Sequence, residues 1–235
     1  MRRTLFAAVL AAALAGPGCK PKANLNNPAF VETRSAIEVY ERLEALIDAQ
    51  KDGKQDREDA YALVVDRAES TAAYYFARAA VAGRLAENRG LQAMGLVTEA
   101  EDYARRARAI DPDFREGSAT RMLGTLYVLA PASLLAHGDS EDGLELLENE
   151  VKAHPERLIS RLRLAEAYIA LGDPDPGKEH LCVVQRGEAQ LSAGDRRLLA
   201  KLLADAGKLD CAATAPEAAP AAAPDAASPA AAPAA

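Results

Sequence analysis

Apolar side chains recur at every third or fourth position along most of this chain, and this spacing limits the folds open to it more than any other feature. Between Phe30 and Ile47, for example, the apolar residues fall on one face of a helix. Ala, Leu, Glu and Arg dominate residues 28–207 and the chain has no Trp, a mixture that favours helices over strands. No segment shows the sustained apolar and polar alternation of a β-strand. The sequence therefore predicts an all-α protein.

Start and stop signals divide this region into individual helices. Asn27 and Pro28 fit an N-cap and a first helical residue, and Asp52-Gly53 marks the end of that helix. Thr98 and Glu101 fit a capping box that opens a later helix ending at residue 111. The other predicted helices lie around 61–65, from 71 to 90, from 113 to 130, from 140 to 154 and, as a group of three, between 156 and 207, with a capping box at Ser192 and Asp195.

A short pattern of small and aromatic residues recurs at the spacing of a helical repeat. Twice, a Leu and the small residue after it stand four and three positions before a Tyr, and the two copies lie about 40 residues apart, where the ideal period is about 34. Each copy is similar to the first helix of a tetratricopeptide repeat, in which the small residue lets two helices approach and the aromatic ring wedges between them. The residues assigned to this packing are Leu123, Gly124, Tyr127, Leu164, Ala165 and Tyr168.

Gly143 stands at the close-approach position of a second helix, so the pattern predicts helical hairpins. The expected fold is a stack of antiparallel hairpins, an α-solenoid of degenerate tetratricopeptide-like repeats. In an alternative interpretation, Tyr127 and Tyr168 join Tyr74 and Tyr75 in lining a concave groove.

Several longer segments resemble one family. The segments 110–114, 123–127, 138–139 and 164–168, which read IDPDF, LGTLY, GD and LAEAY, are similar to the T-component lipoproteins associated with TRAP transporters. The resemblance covers residues 74–206. It implies a lipid-anchored periplasmic helical protein with cryptic tetratricopeptide repeats that associates with a solute-binding protein, and it allows an apolar groove or pore for a ligand.

The N-terminal residues predict export. Residues 1–18 contain Arg2-Arg3 and then an apolar run that is too short to span a bilayer, as in a signal peptide. The following small residues and Cys19 resemble a bacterial lipoprotein signal, which implies lipidation of Cys19 and anchoring at the periplasmic face of the outer membrane. Residues 19–27 would then be a tether. The alternative is ordinary cleavage after Ala15, which leaves Cys19 as a free thiol.

Three cysteines are present, and lipidation of Cys19 would leave one pair. Cys182 and Cys211 are therefore predicted to form a disulfide in an oxidising compartment, which would stabilise the C-terminal helices by about 3 to 4 kcal/mol. The alternative is two unrelated, partly buried thiols.

Between the tether and the C-terminal end, residues 28–211 are expected to form one helical-repeat domain. Residues 212–235 consist mainly of Ala and Pro and are predicted to be disordered, either as a spacer or as a solvated extension. The formal net charge is -7, so nucleic acid is not expected as a partner.

The sequence favours a binding protein over an enzyme, and no metal or other cofactor is predicted. His137, His154 and His180 stand apart and match no metal-ligand spacing. Acidic residues such as Glu99 and Glu101 are assigned to helix starts, where negative charge is favourable. Three arginines are candidates either for a face that meets an acidic partner or for an ordinary solvated helix face, namely Arg121, Arg161 and Arg163.

Three hypotheses follow. In the first, the chain is a membrane-anchored adaptor for a partner protein, with a periplasmic solute-binding protein as the partner that the resemblance suggests. In the second, it carries a small apolar ligand in a closed cavity. In the third, it is a scaffold in envelope assembly. The sequence leaves self-association open.

Overall fold

The computed structural model describes residue 24, residues 27–67 and residues 69–211. Every regular element in these ranges is a helix, so the all-α prediction is confirmed there. The predicted signal peptide, Cys19 and the Ala/Pro-rich segment lie outside the described residues, as does most of the tether. None of the described helices has the length and apolar character that a membrane span requires.

The chain divides after Glu150 into two compact units. The helices of the first unit are α1 (Ala36–Asp48), α2 (Lys54–Asp66), α3 (Ala72–Ala86), α4 (Met94–Ile110), α5 (Ser118–Leu129) and α6 (Ser140–Ala153), whose last turn crosses the boundary. The helices of the second unit are α7 (Leu158–Ala170), α8 (Pro174–Arg186) and α9 (Ala193–Ala206). Short 3-10 turns lie at Gly90–Ala93, Ala132–Leu134 and Glu188–Gln190.

The first helix begins later than the sequence predicts. Ser35 is the N-cap of α1 and accepts a hydrogen bond from the backbone N–H of Glu38. Asn27, the predicted cap, instead donates from Nδ2 to Asp56 at 2.9 Å and to the buried Asp59 at 3.0 Å, both on α2. Asn27 Oδ1 also accepts a hydrogen bond from the N–H of Ala29 at 3.0 Å, as a cap would, but residues 28–32 form turns. The predicted helix start was wrong because the helix begins only at Ala36.

The starts of α4 and α5 also differ from the prediction. Helix α4 begins at Met94, so Thr98 lies within it, and the Thr98 hydroxyl donates to the carbonyl of Leu134 at 3.5 Å. Helix α5 begins at Ser118 because residues 115–117 have positive φ angles, which interrupt a right-handed helix. The predicted N-cap of α9 is present, since Ser192 Oγ accepts from the N–H of Asp195 at 3.1 Å and its hydroxyl donates to the carboxylate of Asp195 at 3.0 Å.

Helix α3 is the centre of the first unit and packs against α1, α2, α4 and α5. Its sequence is rich in Ala, and side chains on several sides of the helix are buried, as a helix enclosed by neighbours requires. Small side chains let those neighbours come close. Leu43 of α1, Val64 of α2 and Val81 of α3 are fully buried in the resulting core.

The second unit packs α7, α8 and α9 around a smaller leucine core that includes Leu162, Leu181 and Leu199. Cys182 of α8 and Cys211, which follows α9, form a disulfide with their Cα atoms 5.4 Å apart. The predicted pairing is confirmed. It ties the end of the described chain to the core of this unit, because Cys182 is buried.

A polar groove between three helices

The hairpin of α5 and α6 is held by a close approach of two backbones. A Cβ built on Gly143 of α6 would lie 2.7 Å from the carbonyl oxygen of Gly124 and 2.7 Å from Cβ of Tyr127, both on α5. No side chain fits in such a space. Leu123 and Tyr127 are buried beside the contact, so the residues that the repeat pattern singled out lie at this helix interface.

The hairpin of α7 and α8 has the same arrangement in a looser form. A Cβ built on Gly177 of α8 would lie 3.2 Å from the carbonyl oxygen of Ala165 and 3.4 Å from Cβ of Tyr168. Leu164 and Ala165 are buried, whereas Tyr168 is partly exposed. The ring of Tyr168 stacks on His180 of α8 at 6.3 Å between ring centroids.

Tyr127 also closes one side of the loop between α5 and α6. Its ring lies against Gly138, where a built Cβ would be 2.3 Å from a ring atom. Its hydroxyl lies near the carboxylate of Glu101 on α4. Burial, together with the negative charge of Glu101, raises the pKa of Tyr127 to about 12, because both disfavour the phenolate.

Glu101 itself is completely buried. Its carboxylate accepts hydrogen bonds from the backbone N–H groups of Ala136 and His137, each at 2.8 Å, and so fixes the loop to α4. Its assignment to a helix start was wrong, since α4 begins seven residues earlier at Met94. The sequence did not predict this role because the hydrogen-bond partners of Glu101 lie 35 and 36 residues away in the chain.

A groove of about 350 Å³ lies between α4, α5 and α6, and we call it the polar groove. It is lined by Arg105, Arg108, Leu123, Tyr127, His137, Asp142, Glu145, Leu146 and Asn149. An adjoining groove of about 380 Å³ shares Arg105, Arg108 and Leu123, and Pro112 extends its lining. Both are open to solvent, and charged side chains contribute to both.

The two walls of the polar groove have opposite charges. Arg105 and Arg108 are exposed on α4, and across the described residues neither guanidinium has a hydrogen bond or an ion pair. Asp142 and Glu145 are exposed on α6 and face the same space. At the end of the groove, His137 Nε2 lies 3.3 Å from Asp102 Oδ1. Sequence reasoning missed Arg105 and Arg108, because nothing in their local pattern distinguishes them from other helical arginines.

The three arginines proposed from the sequence have partners within the chain. Arg121 donates to the carbonyls of Arg115 and Glu116, and Arg161 donates to the carbonyl of Pro155 at 2.6 Å. Burial lowers the pKa of Arg161. Arg163 contacts Glu166 at 2.9 Å and Asp195 at 3.2 Å. Their guanidinium groups therefore stabilise loops and helix contacts.

Tyr74 and Tyr75 pack in an aromatic cluster away from the polar groove lining. Their ring centroids are 5.5 Å apart, and each also contacts the ring of Tyr103. Arg78 lies over the rings of Tyr61 and Tyr103 and forms an ion pair with Glu99. Burial raises the pKa of Tyr61 to about 12, and its hydrogen bond to Glu99 contributes to the shift.

The histidines do not form a joint site among the described residues. His137 lies in the polar groove, whereas His180 stacks on Tyr168 in the second unit. Within the described ranges, no group of three or more His, Cys, Asp or Glu side chains is arranged to bind a metal ion.

Comparison with known proteins adds no assignment to this geometry. No protein-family model matches the chain, and a search of the curated proteins finds no match. The resemblance to the transporter-associated lipoproteins therefore stays a prediction from the sequence.

Proposed function

We propose that this chain is a membrane-anchored periplasmic binding protein, built from tetratricopeptide-like hairpins, that acts as an adaptor for a partner protein. The observation that carries the proposal is the polar groove, with its two exposed arginines that have no partner among the described residues. Arg is enriched in protein interfaces, and its planar guanidinium group can donate two parallel hydrogen bonds to one carboxylate. The family resemblance suggests a TRAP transporter solute-binding protein as the partner.

The repeat assignment is supported by the likeness of the two hairpins. In each, a glycine of the second helix, Gly143 or Gly177, meets the carbonyl of a small residue and the Cβ of a Tyr on the first. Stacked hairpins of this kind expose extended surfaces on which a partner can bind. The polar groove lies beside the first of these hairpins.

Anchoring would make the adaptor effective at low affinity. A lipid on Cys19 confines the protein to a membrane surface, which raises the local concentration of any partner it binds there. The adaptor would then retain its partner near the membrane without catalysing a reaction.

The apolar-carrier alternative lacks comparable support. It requires a closed cavity lined by apolar side chains, whereas the two grooves described above are open and contain Arg105 and Arg108. The scaffold alternative would be favoured by a continuous apolar surface. Val31, Met94 and Ile110 are exposed apolar residues. Met94 and Ile110 stand at opposite ends of α4, and Val31 precedes α1, so these three residues are not neighbours in one helix.

The proposal is tested by a pull-down from detergent-solubilised native membranes. The baits are the wild type, Cys19→Ala, Arg105→Glu with Arg108→Glu, and a control in which Lys51→Glu and Lys54→Glu make the same change in charge at exposed sites outside the groove. We expect the wild type and the control to recover a solute-binding protein. The amount recovered with the groove variant should be lower by a factor of at least about ten.

The Cys19→Ala form should leave the membrane fraction and still bind its partner once solubilised. Equal recovery by the groove variant and the control would reject the groove as the binding site. Recovery of an apolar small molecule without any protein would reject the adaptor function and support the carrier.

A further inference from the structure

We infer that the polar groove binds an extended segment of the partner in which an acidic residue stands close to a basic residue. The acid faces Arg105 and Arg108 of α4, and the base faces Asp142 and Glu145 of α6. This inference rests on the proposed adaptor function and specifies the chemistry of what the groove recognises.

The α4 wall provides the site for the acid. The guanidinium groups of most described arginines contact other groups of the same chain. Arg84, for example, forms an ion pair with Glu44 at 2.7 Å, and Arg57 forms one with Asp52 at 2.7 Å. Arg105 and Arg108 do not, although they stand three positions apart on one face of α4. Two adjacent exposed cations repel each other, so a carboxylate that binds between them is stabilised by both.

The α6 wall provides the complementary site. Asp142 and Glu145 also stand three positions apart, and Asn149 follows on the same face one helical turn beyond Glu145. One carboxylate oxygen of Asp142 accepts the N–H of Asp139 at 3.1 Å, while Glu145 is exposed. A Lys or Arg of the partner can therefore bind Glu145 and the remaining oxygen of Asp142, and Asn149 adds an amide to the same lining.

The two walls remain apart. None of the arginines and carboxylates facing each other across the groove forms an ion pair in the described structure, so the intervening space is available to a ligand. Leu123 and Leu146 add apolar side chains to the groove lining. Because the second groove shares Arg105, Arg108 and Leu123, the two spaces form a longer path that suits an extended chain better than a compact molecule.

The inference is tested by fluorescence anisotropy with the detergent-solubilised full chain and three labelled peptides of equal length, at low salt so that screening is small. The first peptide contains two Glu followed by two Lys in an Ala and Ser background. The second replaces the Lys residues by Gln, and the third replaces both the Glu and the Lys residues by Gln. The free dipeptide Glu-Lys is added as a competitor.

We expect the peptide with both charges to bind most tightly and the neutral peptide at least about tenfold more weakly. Arg105→Glu with Arg108→Glu should weaken binding of the doubly charged peptide at least about tenfold, and Lys51→Glu with Lys54→Glu should not. Glu145→Lys should remove the advantage of the doubly charged peptide over the acid-only peptide, whereas Glu32→Lys, at an exposed site outside the groove, should preserve it.

Equal affinity for the neutral peptide, or no binding of any peptide, would overturn the inference. If the pull-down still depended on Arg105 and Arg108 in that case, the adaptor function would stand with a folded surface as the partner. Competition by the free dipeptide at the same concentration as the full peptide would show that the site takes a small zwitterion, which would also overturn the extended-segment inference.

Discussion

Glu101 connects the loop between α5 and α6 to α4, and one residue of that loop, His137, lines the polar groove. The loop between α5 and α6 contains no long helix of its own, and its backbone N–H groups at Ala136 and His137 donate to this carboxylate. His137 then lies in the groove lining. A buried carboxylate is stable only when its oxygens are hydrogen-bonded, and here two backbone N–H groups supply those bonds.

Replacement of Glu101 by Gln should therefore be costly although the shapes match. The amide group places an N–H₂ donor against a backbone N–H donor, so one buried hydrogen bond is lost and two donors face each other. We expect the free energy of unfolding to fall by about 1 to 3 kcal/mol, measured by urea denaturation. Hydrogen exchange at Ala136 and His137 should become faster in the same variant.

The matched control is Glu145→Gln, which changes the same atoms at an exposed position on α6. Its effect on the free energy of unfolding should stay within about 0.5 kcal/mol. If both variants had equally small effects, the hydrogen bonds of Glu101 would not be what fixes the loop.

At the scale of helices, glycines decide how closely the two hairpins pack. Gly143 of α6 and Gly177 of α8 face equivalent atoms of the preceding helix, but the space at Gly143 is the tighter of the two. Gly95, near the start of α4, has no atom within 4 Å of the Cβ position. These three sites form a graded series in which the same substitution meets different surroundings.

Substitution of each glycine by alanine should give three different outcomes. Gly143→Ala should lower the free energy of unfolding by about 1 to 3 kcal/mol, because the new methyl group pushes α5 and α6 apart. Gly177→Ala should be nearly neutral, since helix propensity offsets a mild clash. Gly95→Ala should raise the free energy by up to about 1 kcal/mol, because only the propensity gain applies.

Thermal and urea unfolding of the three variants, followed by circular dichroism, measure this order. The expected order of stability, from highest to lowest, is Gly95→Ala, Gly177→Ala, Gly143→Ala, because the contacts at the three sites become progressively tighter. A stabilising effect of Gly143→Ala equal to that of Gly95→Ala would mean that α5 and α6 do not pack at the short distance described.

At the scale of the whole chain, the Cys182–Cys211 disulfide belongs entirely to the second compact unit. It closes a loop with a sequence separation of 29 residues, and it joins α8 to the segment that follows α9. The first unit has a core of its own around α3 and contains neither cysteine.

Reduction of this disulfide should destabilise one unit selectively. Loss of the cross-link should lower the free energy of unfolding of α7, α8 and α9 by about 3 to 4 kcal/mol on the chain-entropy account. Hydrogen exchange followed by mass spectrometry should show faster exchange in those helices and unchanged exchange in α1, α2 and α3. A Cys182→Ala, Cys211→Ala chain, which has no disulfide there, is the control and should not respond to the reductant.

An equal increase of exchange in both units would show that they unfold together, contrary to the division of the chain after Glu150. No change in either unit would show that the cross-link contributes little beyond the leucine core of the second unit.

The sequence by itself determined the helical class and the approximate helix segments, and it predicted the pairing of the two downstream cysteines, which the structure confirms. Helical periodicity is a local property, since it depends on residues three and four positions apart. The start of α9 was predicted for the same reason, because Ser192 and Asp195 satisfy each other within one turn. The cysteine pairing followed from a count rather than from distance.

Only the tertiary structure decided the starts of α1 and α4 and the location of the polar groove. Asn27 Oδ1 accepts the local N–H of Ala29, but no helix begins there, and the Asn27 amide nitrogen and the Thr98 hydroxyl donate to groups 29 to 36 residues away. Arg105 and Arg108 stand out only once the partners of the other arginines are known. Such contacts depend on which helices the fold brings together, and no local pattern in a single sequence contains that information.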